Sequence, residues 1–322
     1  MKELEDMLRL ARRHAGQPLA LATIVRTQGS SYRAVGTRML IAPDGSSVGA
    51  LSGGCLEEDI VTRAAAVIAT GTPVLVPYDT RRLFGCDGCI EVFIERVQGD
   101  GAWAQALERC FATRERGAML TVFEGAERER LGSYPVSLLD AVPDGALLHM
   151  IEPPVHLVIA GGGQDAVPLV GLGRSLGWRV TVLARPEQNC NAFGDAEILP
   201  VTAPDEWPMP ADSRTAAVIM THQFGRDAAF LRQMVQLPFG YLGLLGPRRR
   251  RERLLEAIGD AADVAALKLH NPAGLDVGAE TPEEVALAIV AEIQAVMTNS
   301  HAGFLRDRKG PIHARSEEAM VR

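Results

Sequence analysis

The chain has 322 residues, 33 Lys and Arg against 40 Asp and Glu for a formal net charge of −7, and 47% hydrophobic residues. That composition suits an ordinary globular protein of about two domains at roughly 150 residues each. A mildly acidic chain without a long basic block excludes the usual nucleic-acid binder, and no stretch reaches the roughly 18–20 apolar residues of a membrane span.

The N-terminal "MKELEDMLRLARRHAG" reads as a charged amphipathic helix without the apolar core of a signal peptide, so a cytoplasmic location is expected. "LALATIVRT" is a β-rich apolar strand, and "TRMLIAPDGSSVGAL" reads as two short strands around an Asp44-Gly45 turn. In "CLEEDIVTRAAAVIATG" the apolar residues Leu56, Ile60, Val61, Ala64, Val67 and Ile68 recur at helical spacing, and Gly71 ends the run. "TPVLVPYDT" and "CIEVFIERV" are strands around the loop 81–89, and "AWAQALERCFATRERG" with "AMLTVF" adds a helix and a strand. Residues 125–154 carry little pattern and end in "EPPV", which suits a linker.

From 155 onward, apolar strands alternate with helices ("VHLVIA", "RVTVL", "AEILPV", "AAVIM", "YLGLLG"), as in an open parallel sheet. The fold class expected is therefore α/β: an N-terminal α+β domain (1–124), a linker (125–154), a Rossmann-like doubly wound domain (155–297) and a polar tail (298–322). In "VHLVIAGGGQDAVPLVGLGRSLGWRVTVL", Gly161, Gly163 and Ala166 fit G-x-G-x-x-(G/A) between a strand and a helix. There the first glycine permits a tight turn, the second lets a pyrophosphate approach the backbone, and the third small residue allows close packing. The second strand should end in an acid that grips the ribose hydroxyls, but the chain reads Leu183-Ala184-Arg185-Pro186. Arg185 could face a 2′-phosphate instead, so the domain either binds NAD(P) or is a scaffold without nucleotide. Thr221 and His222 fall where an open sheet presents its ligand edge, His222 as an acid–base candidate or as a structural histidine. The run Arg248–Arg251 opens a helix and reads as a solvated or anion-facing patch rather than a DNA contact.

The five cysteines are an odd number in a chain large enough to build its own core, so reactive or ligand roles outweigh a disulfide framework. Cys55 follows Ser52-Gly53-Gly54 at a helix entry. The turn is either a packed helix start or a place where the helix dipole favours a thiolate; Glu57, Glu58 and Asp59 oppose the latter. Cys86 and Cys89 have C-x-x-C spacing without the second pair or the histidines that would complete a zinc site. Cys110 and Cys190 read as structural, and Glu280, Glu283 and Glu284 as helix-start acids.

"GSSYRAVGTRMLIAPDG", "LSGGCLEEDI" and "GCIEVFIE" resemble the N-terminal signatures of the xanthine dehydrogenase accessory protein family (XdhC/CoxI type). "IAGGGQDAVPLVGLGRSLGWRVTV", "YLGLLGPRRRRERLL" and "GLDVGAETPEEVALAIVAEI" resemble its Rossmann-like C-terminal domain, so the resemblance covers about 18–97 and 155–297. It implies a maturation factor that binds molybdenum cofactor (molybdopterin), supports its sulfuration by a cysteine desulfurase, and passes it to a xanthine dehydrogenase-type molybdenum hydroxylase. A homodimer is an option, and turnover by the factor itself is not expected. A pterin-dithiolene carrying a phosphate calls for amides, hydroxyls, an arginine and a soft thiolate. Ser30, Ser31, Arg33, Gly53, Gly54, Cys55 and Cys86 are the candidates, with Cys55 and Cys86 for the metal; Arg33 reads alternatively as a surface salt bridge. Gly161, Gly163, Thr221 and His222 are the candidates in the second domain.

The sequence departs from the family pattern in "FGCDGC", where Cys89 replaces a glycine, and in the missing strand-end acid. Rival readings are an NAD(P)-dependent oxidoreductase using His222 or Cys55, and a thiol–disulfide protein built on Cys86 and Cys89.

Overall fold

The structure, a computed structural model, describes residues 2–29, 31–54, 56–79, 88–125, 130–137, 142–201, 207–309 and 319–321. It divides into two compact units: Lys2–Pro153 with Leu305–Arg322, and Pro154–Phe304.

The first unit is built on a five-stranded antiparallel sheet. Helix α1 (Lys2–Arg13) carries Glu3 and Glu5 in its first turn and Arg12 and Arg13 in its last, each sign matching the helix dipole. Strand β1 (Pro18–Gly29) is the sheet's centre, and its long apolar run is explained by burial on both faces. Leu19 and Leu21 pack with Met7, Leu10 and Trp103, whereas Ala20, Ala22 and Ile24 pack with Ile60, Ala64 and Val67. Strands β2 (Arg38–Ile41) and β3 (Ser47–Val48) form the expected hairpin. Its turn places Gly45 at φ +82° and lets the Asp44 carboxylate accept from the Ser46 amide and hydroxyl.

Helix α2 (Glu57–Thr70) ends at Gly71, which takes φ +71° and donates its amide to Val67. Strands β4 (Val74–Asp79) and β5 (Gly88–Gln98) complete the sheet in the order β3-β2-β1-β5-β4. Helix α3 (Ala102–Thr113) buries Trp103, Ala104, Leu107 and Cys110 beside α1, and the Cys110 thiol donates to the Ile151 carbonyl at 3.5 Å. Cys110 is thus part of the packing, as expected.

Residues 125–154 differ from the expected linker. They carry strands β7 (Gly132–Val136) and β8 (Ala146–Ile151), which flank β6 (Gly117–Val122) in a four-stranded sheet of the first unit. Likewise the expected tail includes a strand, Ala319–Val321, paired antiparallel to β8. The reason β7 escapes sequence patterning is that Ser133, Tyr134 and Pro135 give no alternation of apolar residues, and proline argues against a strand interior.

The second unit is a parallel sheet of strands β9 (His156–Ala160), β10 (Arg179–Ala184), β11 (Glu197–Pro200), β12 (Thr215–Ile219), β13 (Tyr241–Leu244) and β14 (Leu269–His270). Their order β11-β10-β9-β12-β13-β14 is the doubly wound 3-2-1-4-5-6 arrangement. Helices α4 (Ala166–Ser175) and α8 (Pro282–Met297) cover one face, with Leu169, Val170, Ile289 and Ile293 against Leu157, Ile159 and Val218. Helices α5 (Phe224–Met234), α6 (Arg248–Ile258) and α7 (Ala262–Lys268) cover the other, with Phe230, Leu231, Leu254 and Ala265 against Val158, Ala217 and Ile219. At the start of α8, Thr281 and Glu284 form a reciprocal capping box, the role expected of that acidic stretch. Cys190 packs half-buried against the first of these faces.

Candidate functional site

Two strand ends carry the chemistry, one in each unit. In the first unit the C-terminal ends of β1 and β4 lie beside the start of β5, so that Gln28 and Asp79 both pair in register with Cys89. A pocket of about 250 Å³ opens there, lined by Arg26, Gln28, Tyr78, Asp79, Cys89 and Glu91. Cys89, the thiol added to "FGCDGC", is half-buried in its wall. Arg26 is held by Glu91 at 2.9 Å and Glu124 at 2.5 Å, with its guanidinium over the Phe123 ring.

The first turn of α2 is tied to the same strand end. The Tyr78 hydroxyl donates to Asp59 at 2.6 Å, and Arg63 donates to the same carboxylate oxygen at 2.7 Å. Bonds from Arg63 and then Tyr78 hold the Asp59 carboxyl below its ordinary value, while burial, and then Asp59, push the Tyr78 phenol up. From the first position of α2, the Glu57 carboxylate folds back over the preceding turn. It accepts from the amides of Leu51 at 3.0 Å, Ser52 at 2.8 Å and Leu56 at 3.1 Å, and from the Ser52 hydroxyl at 2.6 Å.

Burial of Glu57 pushes its pKa up, but the Ser52 hydroxyl and the backbone donors together outweigh it, so the carboxyl sits below its ordinary value. The turn presents Gly53 and Gly54 to solvent. Gly54 takes φ +108°, and a Cβ at either glycine would meet open space, so packing does not require Gly53.

In the second unit the glycine loop follows β9 at the point where the strand order reverses. Gly161 takes φ +136°, and a Cβ there would overlap the Met220 carbonyl oxygen at the end of β12. The tight-turn requirement at this position is therefore a close approach between two strands. A pocket of about 120 Å³ is lined by Gly161, Gly163, Arg185, Thr221, His222 and Arg226. His222 stands in left-handed backbone at φ +59°, a conformation that costs a non-glycine residue about 1 kcal/mol. It meets Asp165, at the start of α4, at 2.6 Å. Thr221 donates its hydroxyl to Asp227 at 2.5 Å, and Arg250 holds the other carboxylate oxygen of Asp227 at 2.6 Å. Asp227 is 1% exposed, so one arginine of the basic run serves as an internal brace.

Comparison with known proteins decides the family. The family model described as "XdhC and CoxI family" matches residues 12–79, and that described as "XdhC Rossmann domain" matches 157–293. A probable xanthine dehydrogenase subunit of Bacillus subtilis (strain 168) is 31% identical over 309 residues, covering 85% of this chain and 91% of that protein. The chain belongs to the XdhC and CoxI family. The molybdenum cofactor insertion chaperone PaoD of Escherichia coli (strain K12) is 20% identical over 289 residues, with 88% and 84% of the two chains covered. A crystal structure described as a xanthine dehydrogenase from Bacillus halodurans superposes with a TM-score of 0.76 at 28% identity, covering 93% of this chain and 98% of that one.

In this XdhC-family chain, Gly161, Gly163, Thr221 and His222, expected together from sequence, do line one pocket. Ser31 and Arg33 are engaged within the protein, Arg33 in an ion pair, the second of its two readings from sequence. The Ser31 hydroxyl donates to the Arg33 carbonyl at 2.7 Å, and the Arg33 guanidinium is ion-paired with Glu3 of α1. The pairing, across 30 residues, engages the Arg33 Nη2 and leaves its buried Nε without a hydrogen-bond partner. Ser30, Cys55 and Cys86 lie outside the described residues. Among the described residues no group of three or more His, Cys, Asp or Glu could hold a metal ion, and no helix is long and apolar enough to cross a membrane.

The sequence alone does not single out Asp165, Gln188, Arg226 or Asp227. Only Arg226 and Asp227 carry a signal there, as a charged pair opening the helix after the Thr-His ligand edge.

Proposed function

We propose that this XdhC-family chain carries molybdenum cofactor as cargo, supports exchange of an oxo for a sulfido ligand, and delivers it to a xanthine dehydrogenase-type molybdenum hydroxylase. The names of two relatives, a probable xanthine dehydrogenase subunit and a molybdenum cofactor insertion chaperone, point to that class of partner and cargo. A cysteine desulfurase would supply the sulfur, and two copies of the chain would form the working assembly.

The observation that carries the reading is the turn before α2. One carboxylate, Glu57, gathers three backbone amides and a hydroxyl, and holds two bare glycines outward immediately before Cys55. A preorganised turn of two exposed glycines, the Gly54 amide donating to the Ser52 hydroxyl at 3.3 Å, followed in sequence by a cysteine, suits a ligand with anionic and soft-metal groups. The residues fit part of such a cargo. Gly53 and Gly54 leave room for it and Cys55 supplies the soft ligand, with Cys86 as a second candidate. Arg33 holds Glu3 through Nη2, and its Nε makes no hydrogen bond. This chain's own work is then to hold and shield the cargo, with the metal's redox chemistry belonging to the enzyme served.

Expression in a host that makes molybdenum cofactor, anaerobic purification, and molybdenum and pterin analysis test the reading. Near-stoichiometric loading is expected in the wild type, with loss in Cys55→Ala while the circular dichroism spectrum is kept. Unchanged loading in Cys55→Ala removes that thiol as a ligand, and absence of pterin from the anaerobic wild type refutes the carrier.

A further inference from the structure

Two guanidinium groups share the small pocket at the switch point of the parallel sheet. Arg185 follows β10, Arg226 lies in the first turn of α5, and the glycine loop forms the floor between them. The Arg226 Nε is buried and makes no hydrogen bond, and its Nη2 reaches only the Val201 carbonyl at 3.5 Å. Burial, and then repulsion from Arg185, hold its guanidinium below the ordinary value. Arg185 has a half-exposed acid partner, Glu187, at 3.2 Å. Two like charges on one concave surface favour an anion between them.

The neighbouring groups fix which anion. A dinucleotide places its pyrophosphate on open amides at the start of the first helix. Here the Asp165 carboxylate stands at that start, making no cap bond to the helix amides but setting a negative charge beside them. It is paired to His222, and its Oδ1 occupies the space into which a Gly163 Cβ would project. Gln188 closes the loop from the other side by donating to the Gly162 carbonyl. The positive groups are therefore displaced from the helix start towards the end of β10 and α5. A phosphate monoester suits them: it is compact, carries close to two negative charges and offers three acceptor oxygens to guanidinium forks.

We propose that Arg185 and Arg226, over the glycine loop, form a binding subsite for a phosphate monoester, either free phosphate or one borne on a nucleoside. The subsite goes beyond the carrier reading and stands without it.

Titration calorimetry on the full chain, with inorganic phosphate, adenosine 2′-phosphate, adenosine 5′-phosphate and NAD as probes, tests this. At least one monoester is expected to bind, weakening as salt rises, and Arg185→Gln and Arg226→Gln should each weaken it by about tenfold or more. Binding of inorganic phosphate as tight as that of the nucleotides assigns the free ion, and binding of the adenosine phosphates alone assigns a nucleoside-borne group. Failure of every monoester to bind, unchanged affinity in the half-exposed Arg185→Gln variant, or NAD binding as tightly as the monoesters overturns the subsite.

Discussion

The two strand ends use charge in opposite ways. In the first unit the arginines described near the pocket and the turn are bound to acids: Arg26 to Glu91 and Glu124, Arg33 to Glu3, Arg63 to Asp59. In the second unit Asp227 is buried on Thr221 and Arg250, Asp165 meets the exposed His222, Arg185 pairs with Glu187, and Arg226 faces the shared pocket with its Nε making no hydrogen bond. A basic residue near a glycine loop thus says little until its acid partners are known.

The contrast can be broken most severely at Gly161. In Gly161→Ala the new Cβ overlaps the Met220 carbonyl oxygen in backbone that L residues avoid, so a loss of roughly 3 kcal/mol or more is expected. Hydrogen exchange should quicken across β9 to β13 while β1 to β5 keep their protection. Equal loss in both units would contradict two independently built sites.

Glu57→Ala should follow, with a loss of about 3 kcal/mol from the first unit, because three amides and a hydroxyl lose a charged acceptor. Glu57→Gln should lose about half as much. The folded carboxyl lies below its ordinary 4.5, so its contribution is full above about pH 4.5 and fades as pH falls through the folded value. Urea unfolding at pH 7 and at acid pH should therefore separate wild type from Glu57→Gln at neutrality and bring them together in acid. A gap that widens in acid would show the wrong sign.

The smallest effect is expected at Arg33. Arg33→Gln should cost about 0.5 kcal/mol, a partly exposed ion pair, and leave pterin loading within about twofold of wild type. A collapse of loading with stability intact would move Arg33 from Glu3 to the cargo, and would make the two strand ends alike in their use of charge.

Much of the architecture could be read in advance because it rests on local periodicity. The Asp44-Gly45 hairpin, the Gly71 stop and the glycine turn after β9 all follow from short-range backbone chemistry. Strand β7 could not be read, since its Pro135 and exposed Tyr134 carry no core pattern; its place comes from pairing with β6. At the sites the illegible part was partnership. In sequence Glu57 looks like an acid opposing a thiolate, whereas its carboxylate gathers the Leu51, Ser52 and Leu56 amides of the turn at the start of α2. Arg33 reads as a phosphate ligand or a salt-bridge partner, and which acid would meet it, Glu3 of α1, shows only in the fold. Arg226 stands out only in the fold, because the helix register of α5 aims it at the glycine loop.

The strand Ala319–Val321 sets an order of assembly. It pairs with β8, which ends at Ile151, so the first unit receives an edge strand only after the whole second unit has been synthesised. At translation rates of about 5–20 residues per second, β8 waits roughly ten to thirty seconds with an unsealed edge. On the ribosome, the unit that begins first is the one that finishes last.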